Sequence, residues 1–365
     1  MNRELIDPVE AGVHPGRLKA VLDRARLDVE DGPLPSCQIA IARSGRLVAF
    51  ETYGDARPDQ RYVLQSAGRP YVAAVVWKLL SDGLVALDER VGDMIPEFAT
   101  NGKEVATFGQ VVSHTGGFPM APCGYPKMKD RELRLQAMSR WRLDYEPGTK
   151  LMYHLTSAAW VIAEVCERRS GLPIWDFLEQ RIAAPLGLTV SLHVPPAVRH
   201  ATVAPMVAFD APPGVEPTVD PWGPWYLYDD DILEAGEPSH SMVSTAADLA
   251  LLYQAFHHSG VWTPEAVAAG SAAYVELPME GNYGIAGKLT RMGLFLEVGD
   301  RASTASPAAY GTSGASCQFS WYDPATEVSV AFVTNGYPLA GYDHTRAGRA
   351  RMAVIGALAG DITAD

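Results

Sequence analysis

The sequence predicts an α+β fold, in which one antiparallel sheet is built from both chain ends, is flanked by helices and carries an inserted all-helical lobe. Strand-like patterns lie near the two ends, and the residues between them have mainly helical periodicity. The chain has 365 residues, 47% of them hydrophobic and 20% charged, which suits a folded protein with a sizeable core. We expect one two-lobed domain over residues 1–365, with an α/β lobe at about 1–65 and 285–365 and a helical lobe at about 66–284.

The sheet is predicted from two pairs of strands, each with the apolar pattern of buried β structure. In chain order the strands are Cys37–Arg43 and Arg46–Tyr53, joined at Ser44-Gly45, and Ser316–Tyr322 and Val328–Thr334, joined across Asp323-Pro324. A surface helix over Ala11–Leu27 precedes them, and a helix at roughly Thr345–Ala359 with a strongly apolar side follows them. Both chain ends are therefore expected in one layered unit.

The middle of the chain is predicted to be helical. Four segments combine apolar residues at helical spacing with Gly or Pro at their ends. They are Pro70–Ser81, Ser157–Arg169, Ile174–Ala183 and Ala246–His258. A further segment, Phe209–Glu237, is rich in Pro and aromatic residues, has no period and is predicted to be a long loop. Loops of that length in compact domains are usually functional or mobile.

The charge of the chain excludes two classes of partner. With 30 Lys and Arg against 43 Asp and Glu, the formal net charge is −13. Nucleic-acid phosphates and anionic membranes both require clustered basic residues. We therefore expect a small-molecule substrate and neither nucleic acid nor membrane as a partner; a homodimer has only slight support in the sequence.

The first residues, MNRELIDPVEAGVHPGRL, contain no apolar h-region, and no apolar run reaches about 18 residues. We expect neither a Sec signal nor a transmembrane helix, and a cytoplasmic protein. The cysteines have no CxxC spacing, so we expect reduced structural thiols rather than a disulfide framework or a zinc site. They are Cys37, Cys123, Cys166 and Cys317.

Several short segments follow one another in a recognisable order. They are AGVHPGRL at 11–18, GLVALDERVGDMIPEF at 83–98, VVSHTGGF at 111–118, EPGTKLMY at 146–153, APLGL at 184–188 and STAADLA at 244–250. Together they resemble the serine β-lactamase and penicillin-binding-protein superfamily, over nearly the whole chain. The resemblance is closest to the class C β-lactamase-related branch, which includes family VIII esterases, D-aminopeptidases and acyltransferases. It implies a β-lactamase/transpeptidase-like fold, and it does not by itself assign a reaction.

The family's first motif is Ser-x-x-Lys at the start of a buried helix, and this chain has Ser66-Ala67-Gly68-Arg69. The resemblance implies that Ser66 is the acyl-accepting nucleophile. Arg69 replaces the lysine and, because arginine stays charged in proteins, it cannot take the serine proton. Arg69 follows Ser66 by one helical turn, so we expect it to line the site and to favour a tyrosinate beside it.

The second motif of the family is Tyr-x-Asn, and the residues here are Tyr153-His154-Leu155. The resemblance implies that Tyr153 is the general base or acid that relays the serine proton. Leu155 replaces the asparagine, so a partner for substrate amides is lost and an apolar wall is gained. His154 occupies the variable position, and we expect its side chain to point away; His114 in VVSHTGGF is expected to be structural.

The third motif is Lys-Thr-Gly or His-x-Gly in the family, and Thr312-Ser313-Gly314 stands at its place. Thr312 replaces the cation, which weakens the case for recognising the carboxylate of a β-lactam or peptide. Gly314 is retained where a side chain would block substrate next to the strand. By the resemblance, the backbone N–H groups of Ser66 and Ala315 form the oxyanion hole.

The long loop adds further candidates for substrate binding. Its aromatic residues either pack the loop down or form a pocket wall for a flat or apolar substrate, and we favour the wall. They are Trp222, Trp225, Tyr226 and Tyr228. His240 lies just before STAADLA, where the family often has glycines, and is a further candidate for the pocket.

The function expected from the resemblance is that of a serine esterase or acyltransferase acting on a small ester or thioester through acyl-Ser66, and not that of an efficient β-lactamase. Two alternatives stay open. In one, Arg69 and Tyr153 perform non-hydrolytic chemistry, such as a lyase, isomerase or cyclase step in specialised metabolism. In the other, the chain is a non-catalytic binding descendant. No cofactor or metal is implied.

Overall fold

In a computed structural model of the chain, the described residues are 1–123, 127–218, 225–226, 229–281, 290–299, 306–315, 318–339 and 346–363. The α-helices among them are α1 Pro15–Glu30, α2 Arg69–Ser81, α3 Val91–Met94, α4 Phe108–Val112, α5 Arg131–Arg140, α6 Ser157–Ser170, α7 Ile174–Leu178, α8 Ala184–Leu186, α9 Pro196–Thr202, α10 Asp230–Ala235, α11 Ala246–His258, α12 Pro264–Ser271 and α13 Arg346–Gly360. Short 3₁₀ turns occupy Gln65–Gly68, Pro96–Phe98, Lys103–Val105 and Lys127–Lys129, and a π-helical turn at Glu179–Ala183 joins α7 to α8.

The strands form one large sheet and three small ones. They are β1 Ser36–Arg43, β2 Arg46–Gly54, β3 Tyr62–Val63, β4 Leu151–Met152, β5 Val190–Ser191, β6 Val207–Ala208, β7 Val243–Ser244, β8 Val275–Glu276, β9 Met279–Glu280, β10 Arg291–Met292, β11 Glu297–Val298, β12 Tyr310–Ser313, β13 Phe319–Asp323, β14 Val328–Thr334 and β15 Gly336–Tyr337. The large sheet has the order β2-β1-β14-β13-β12-β11-β10-β8, and its pairs are antiparallel. The small sheets are β3-β7-β5, β4-β9 and β15-β6.

The two chain ends meet in the middle of the large sheet. Strand β1 pairs with β14 from Cys37↔Thr334 to Arg43↔Val328. Successive residues of β1 therefore face opposite sides of the sheet. Ile39 and Ile41 lie in a core cluster with residues of α1 and α13, whereas Ala40 and Ala42 lie in the cluster that contains α2 and α11. Because helices cover both faces, β1 is buried along its length except at Arg43.

The predicted α+β fold with its antiparallel sheet is confirmed, and so are its hairpin and central helices. The turn of the hairpin at Ser44-Gly45 has positive φ at both residues, 48° and 81°, which a two-residue hairpin turn of type I′ requires. Helix α1 begins at Pro15 rather than at Ala11, because the His14 side chain accepts hydrogen bonds from the amides of Gly16 and Arg17 and so caps it.

Two predictions differ from the structure in detail. The segment predicted as the loop Phe209–Glu237 contains the helix Asp230–Ala235, capped by the Asp229 side chain. Strand β8, Val275–Glu276, belongs to the large sheet although it falls within the range assigned to the helical lobe. The division into two lobes stays a prediction, and Ser316 and Cys317 lie outside the described residues.

The central position of β1 leads to a test of the core. Ile39 is completely buried between the sheet and α1/α13, so Ile39→Ala leaves a cavity there. We expect a loss of about 2–5 kcal/mol in the free energy of unfolding, measured by urea denaturation. Val9→Ala, at a side chain that is 67% exposed, is the control and should change it by less than about 0.5 kcal/mol. Equal effects of the two substitutions would contradict the sheet arrangement.

Candidate active site

Ser66 lies in a strained turn between β3 and α2. The 3₁₀ turn Gln65–Gly68 leads directly into α2 at Arg69, and Pro70 is accepted in the first turn of that helix. Gln65 has a φ of 47°, in the left-handed region that side chains other than glycine rarely adopt. The turn leaves Ser66 half-buried while the residues around it are buried. Ser66 is therefore presented at the edge of the core.

Tyr153 is the nearest polar partner of Ser66 in the described residues. Its hydroxyl donates a hydrogen bond to Ser66 Oγ at 3.1 Å. One face of the Tyr153 ring lies against the His114 ring, with centroids 5.0 Å apart and planes 23° apart. Two of the three predicted catalytic residues, Ser66 and Tyr153, are thus brought together at a distance that permits proton transfer.

Arg69 lies beneath this pair rather than in the open site. Its side chain is 1% exposed, and its Cζ lies 4.3 Å from the centroid of the Tyr153 ring and 4.9 Å from that of Phe295. Its Nη2 donates to the carbonyl of Leu155 at 2.8 Å and to that of His154 at 3.4 Å. The guanidinium therefore stacks on the ring of Tyr153 and fixes the backbone that follows it.

The charge of Arg69 has no carboxylate in ion-pair contact within the described part of the chain. Its buried Nε also has no hydrogen-bond partner among those residues. Two carbonyl oxygens and two aromatic faces are the groups that stabilise the cation, through charge-assisted hydrogen bonds and cation–π contacts. Arg69 thus supplies a fixed positive charge next to Tyr153.

Two histidines complete the surroundings of Arg69, and both are neutral. Burial, followed by the charge of Arg69, lowers the pKa of His114 well below its ordinary value. Burial lowers the pKa of His154 to about 4, and the charge of Arg69 adds to that effect. His154 Nδ1 faces the Met152 carbonyl at 2.8 Å, and its Nε2 accepts from the Phe118 amide at 3.2 Å. His154 therefore holds the local backbone.

His114 cannot satisfy both of its neighbours at once. Its Nδ1 lies 3.1 Å from the amide N–H of His154, and its Nε2 lies 3.2 Å from Nη1 of Arg69. Both neighbours are donors, and a neutral imidazole has one accepting nitrogen. His114 also has a φ of 60°, and Phe295, which stacks on its ring, has a φ of 70°. Backbone strain of this kind concentrates at functional sites.

The third motif lies directly against the Ser66 turn. Thr312 Oγ1 donates to the carbonyl of Ser66 at 3.3 Å, and Ser320 Oγ donates to that of Ala67 at 3.2 Å. A Cβ at Gly314 would lie 3.0 Å from the amide nitrogen of Ala67, a tight contact with backbone that favours glycine there. Ser313 precedes Gly314 and Ala315 follows it, so the end of β12 and the Ser66 turn form adjacent walls of the site.

The other residues predicted to bind substrate are either buried in contacts within the fold or lie outside the described residues. Leu155 is 8% exposed and contributes its carbonyl to Arg69. Trp225 and Tyr226 are buried: the indole N–H of Trp225 donates to the carbonyl of Pro338, and the Tyr226 hydroxyl contacts Sδ of Met128. These contacts are those of a packed loop, so the preferred interpretation as an open pocket wall is not supported for this pair. Trp222 and Tyr228 lie outside the described residues.

Sequence reasoning missed the partners of His240. His240 Nδ1 lies 3.0 Å from Oε2 of Glu237 and 2.8 Å from Oγ of Ser239, and all three side chains are buried. It also missed Phe295 as the second aromatic face on Arg69. Neither Glu237 nor Phe295 lies in a motif that resembles the family's. The one signal in the sequence is that Glu237 and Ser239 lie within three residues of His240.

A cavity of about 550 Å³ lies beside the segment that follows Phe118. Its lining includes Met120, Cys123 and Trp141, with Arg140 and Arg142 from the end of α5 and the residues after it. Burial raises the pKa of the Cys123 thiol, the charge of Arg134 opposes that rise, and the charge of Glu237 adds to it. The described residues contain no group of three or more His, Cys, Asp or Glu placed to hold a metal ion.

The profile of the family described as "Beta-lactamase" matches residues 22–354. Esterase EstB of Burkholderia gladioli is 26% identical over 219 residues, which cover 52% of this chain and 55% of EstB. The chain spans about half the length of the curated relatives it matches. Among the helices that the structure describes, none has both the length and the apolarity to cross a membrane.

Two solved structures show the same fold. EstA from Arthrobacter nitroguajacolicus Rue61a superposes with a TM-score of 0.78 and 24% identity, over 99% of this chain and 99% of EstA. EstCE1, described as a hydrolase with promiscuous acyltransferase activity, superposes with a TM-score of 0.73 and 20% identity, over 94% of this chain and 98% of EstCE1. At these identities the likeness shows the fold alone.

The neutral histidines lead to a prediction for acid conditions. Both folded-state pKa values lie below the ordinary 6.5, so the unfolded chain binds more protons as the pH falls. The folded state keeps its full free energy of unfolding above about pH 6.5. Below that pH the free energy of unfolding falls by up to about 1.4 kcal/mol per pH unit for each such histidine. Urea unfolding between pH 7.5 and 5 should therefore be less pH-dependent in His154→Gln than in the wild type.

The control for this test is Val9→Ala, which lies outside the cluster and should keep the slope of the wild type. An unchanged slope in His154→Gln would show that His154 is not held neutral.

Proposed function

The chain belongs to the β-lactamase family, and from that premise we propose that it is a serine esterase or acyltransferase that acts on a small ester or thioester. The observation that carries the proposal is the 3.1 Å hydrogen bond between the Tyr153 hydroxyl and Ser66 Oγ, above the guanidinium of Arg69. This arrangement joins a nucleophile, a proton carrier and a fixed charge, which are the parts that acyl transfer needs.

Tyr153 is the proposed proton carrier because Arg69 cannot be one. A positive charge 4.3 Å from the ring centroid of Tyr153 stabilises the ionised phenol relative to the neutral one. His114 and His154 are held neutral by burial and by the charge of Arg69, so the charge beside Tyr153 is that of Arg69. When Tyr153 is ionised, its contact with Ser66 runs in the opposite direction, with Ser66 as the donor.

The proposed acylation has two steps, and its atoms and protons balance. Ser66 Oγ bonds to the ester carbonyl carbon while its proton passes to Tyr153 Oη, and the carbonyl oxygen becomes an anion. The amides of Ser66 and Ala315 are the proposed donors to that anion. The intermediate collapses as the bond to the leaving oxygen or sulfur breaks, and that atom takes the proton from Tyr153. The products are acyl-Ser66, an alcohol or thiol, and the ionised Tyr153.

The site favours activated esters over β-lactams and amides. Thr312 donates to the Ser66 carbonyl and brings no cation to bind a substrate carboxylate, and Leu155 brings no amide. Esters and thioesters have better leaving groups than amides and require less help from an acid. We therefore do not propose an efficient β-lactamase, and the cytoplasmic location also stays a prediction.

The alternative in which Arg69 itself binds an anionic or enolising substrate is less well supported. The guanidinium is 1% exposed and stacks behind the Tyr153 ring, so little of its surface is available to a ligand. A non-catalytic descendant would have no need to retain the contact between Tyr153 and Ser66 over a buried cation.

The proposal is tested by the mass of the intact protein after incubation with a fluorophosphonate and with activated p-nitrophenyl esters. We expect one adduct per chain in the wild type and none in Ser66→Ala. Ser259→Ala, at the end of α11, is the matched control and should be labelled like the wild type. A folded wild-type protein without an adduct, or labelling that survives in Ser66→Ala, would overturn the acyl-Ser66 mechanism.

A further inference from the structure

The cavity beside the segment that follows Phe118 has the size and the lining of a small-molecule site. Its volume of about 550 Å³ falls in the range of roughly 300–1,000 Å³ that is typical of ligand pockets. One side is formed by residues 120–123, and the other by the last part of α5 and the residues after it. Most of the lining is apolar, and it includes the ring of Trp141. Such a lining suits the carbon skeleton of a ligand.

Trp141 is fixed in this wall through both its main chain and its side chain. Its carbonyl accepts from Nζ of Lys103 at 2.6 Å and from Nδ2 of Asn101 at 3.0 Å, and its indole N–H donates to the carbonyl of Pro122 at 2.8 Å. Lys103 is completely buried. Burial lowers the pKa of its ammonium group to about 8, so the group is mostly charged at neutral pH. The wall is therefore held in place by a buried cation.

Two arginines flank Trp141 in the lining of the cavity. Arg140 is the last residue of α5, Arg142 lies beyond the helix, and both are exposed. Neither guanidinium forms an ion pair or a hydrogen bond within the part of the chain that the structure describes. By contrast, Arg131 in the first turn of α5 pairs with Glu164. The helix end favours a positive charge at Arg140, but this effect does not extend to Arg142.

The charges around the cavity favour an anion. Asp144 is the acidic residue among the described residues of the lining, and its carboxylate is not within ion-pair distance of Arg140 or Arg142. Two unpaired cations at the rim and the charge of Lys103 behind the wall therefore outweigh one acid. The chain as a whole has a formal net charge of −13, so the cavity is opposite to it in sign. A cleft of this kind attracts small anions.

We propose that this cavity is a binding site for a small carboxylate with an apolar body. The guanidinium groups of Arg140 and Arg142 bind the carboxylate at the rim, and the apolar body lies against Trp141. Arginine suits this role because its planar guanidinium can donate two parallel hydrogen bonds to a carboxylate. The lining contains neither Ser66 nor Tyr153, and the proposal does not depend on acyl-Ser66 chemistry.

The test compares three probes that share one apolar body and differ in charge. They are 4-phenylbutyrate, 4-phenyl-1-butanol and 4-phenylbutylammonium, and isothermal titration calorimetry measures their binding to the whole chain. We expect saturable binding of the carboxylate, binding of the alcohol at least about 10-fold weaker, and still weaker binding of the ammonium.

Substitutions at the rim place the binding in the cavity. Arg140→Gln and Arg142→Gln should each weaken binding of the carboxylate by about fivefold or more, and the double variant should bind it no better than the alcohol. Affinity for the alcohol should stay that of the wild type in all three variants. Asp144→Asn removes the opposing charge and should tighten binding of the carboxylate. Ala137→Phe places a ring in the cavity and should abolish binding of both probes.

The matched control is Arg46→Gln, at an exposed arginine of β2 outside the lining. It changes the net charge by the same amount as either rim variant and should leave all affinities unchanged. Equal affinities for carboxylate and alcohol in the wild type, no saturable binding of the carboxylate, or unchanged carboxylate binding in the folded double variant would each overturn the proposal. Because no probe is an ester, a protein that forms no acyl-Ser66 would leave this proposal standing.

Discussion

Arg69 is a buried cation, and the site around Ser66 is arranged to stabilise it. Moving a charged group out of water is costly unless hydrogen bonds and compensating charges replace its hydration. Within the described chain, Arg69 has carbonyl oxygens and aromatic faces in place of a carboxylate. These contacts tie α2 to the residues after Tyr153 and to Phe295 between β10 and β11. The position of Tyr153 over Ser66 therefore depends on how the charge of Arg69 is stabilised.

Strain in the backbone accompanies this arrangement. Six described residues other than glycine have positive φ, and three of them, Gln65, His114 and Phe295, lie around Arg69 and Ser66. Each conformation of this kind costs about 1–3 kcal/mol, which the surrounding packing has to offset. His114 adds a second cost, because two donors face one neutral ring. The strained residues therefore lower the local stability of the fold, and they surround the side chains that hold Tyr153 in position.

Much of the fold could be predicted because it follows from local patterns. The hairpin at Ser44-Gly45 and the pairs of apolar strands specify the central sheet, and the motif segments locate Ser66, Tyr153 and Gly314. The orientation of Arg69 could not be predicted in the same way. Spacing of one helical turn places Arg69 and Ser66 on the same face, but the rings that attract the guanidinium come from distant parts of the chain. Likewise, the Trp225 ring packs edge-on against Tyr337, which lies far away in the sequence.

The central claim is that the fixed charge of Arg69 allows Tyr153 to take the proton of Ser66. The most direct test is the pH dependence of the rate at which a fluorophosphonate modifies Ser66, in the wild type, Arg69→Lys, Arg69→Met and Tyr153→Phe. In the wild type and in Arg69→Lys, the account predicts a labelling rate that rises with pH to a plateau. In Arg69→Met the midpoint of that rise should lie at higher pH, and labelling at neutral pH should be at least about 10-fold slower. In Tyr153→Phe labelling should be slow and should lack the rise. An unchanged midpoint and rate in folded Arg69→Met would contradict it.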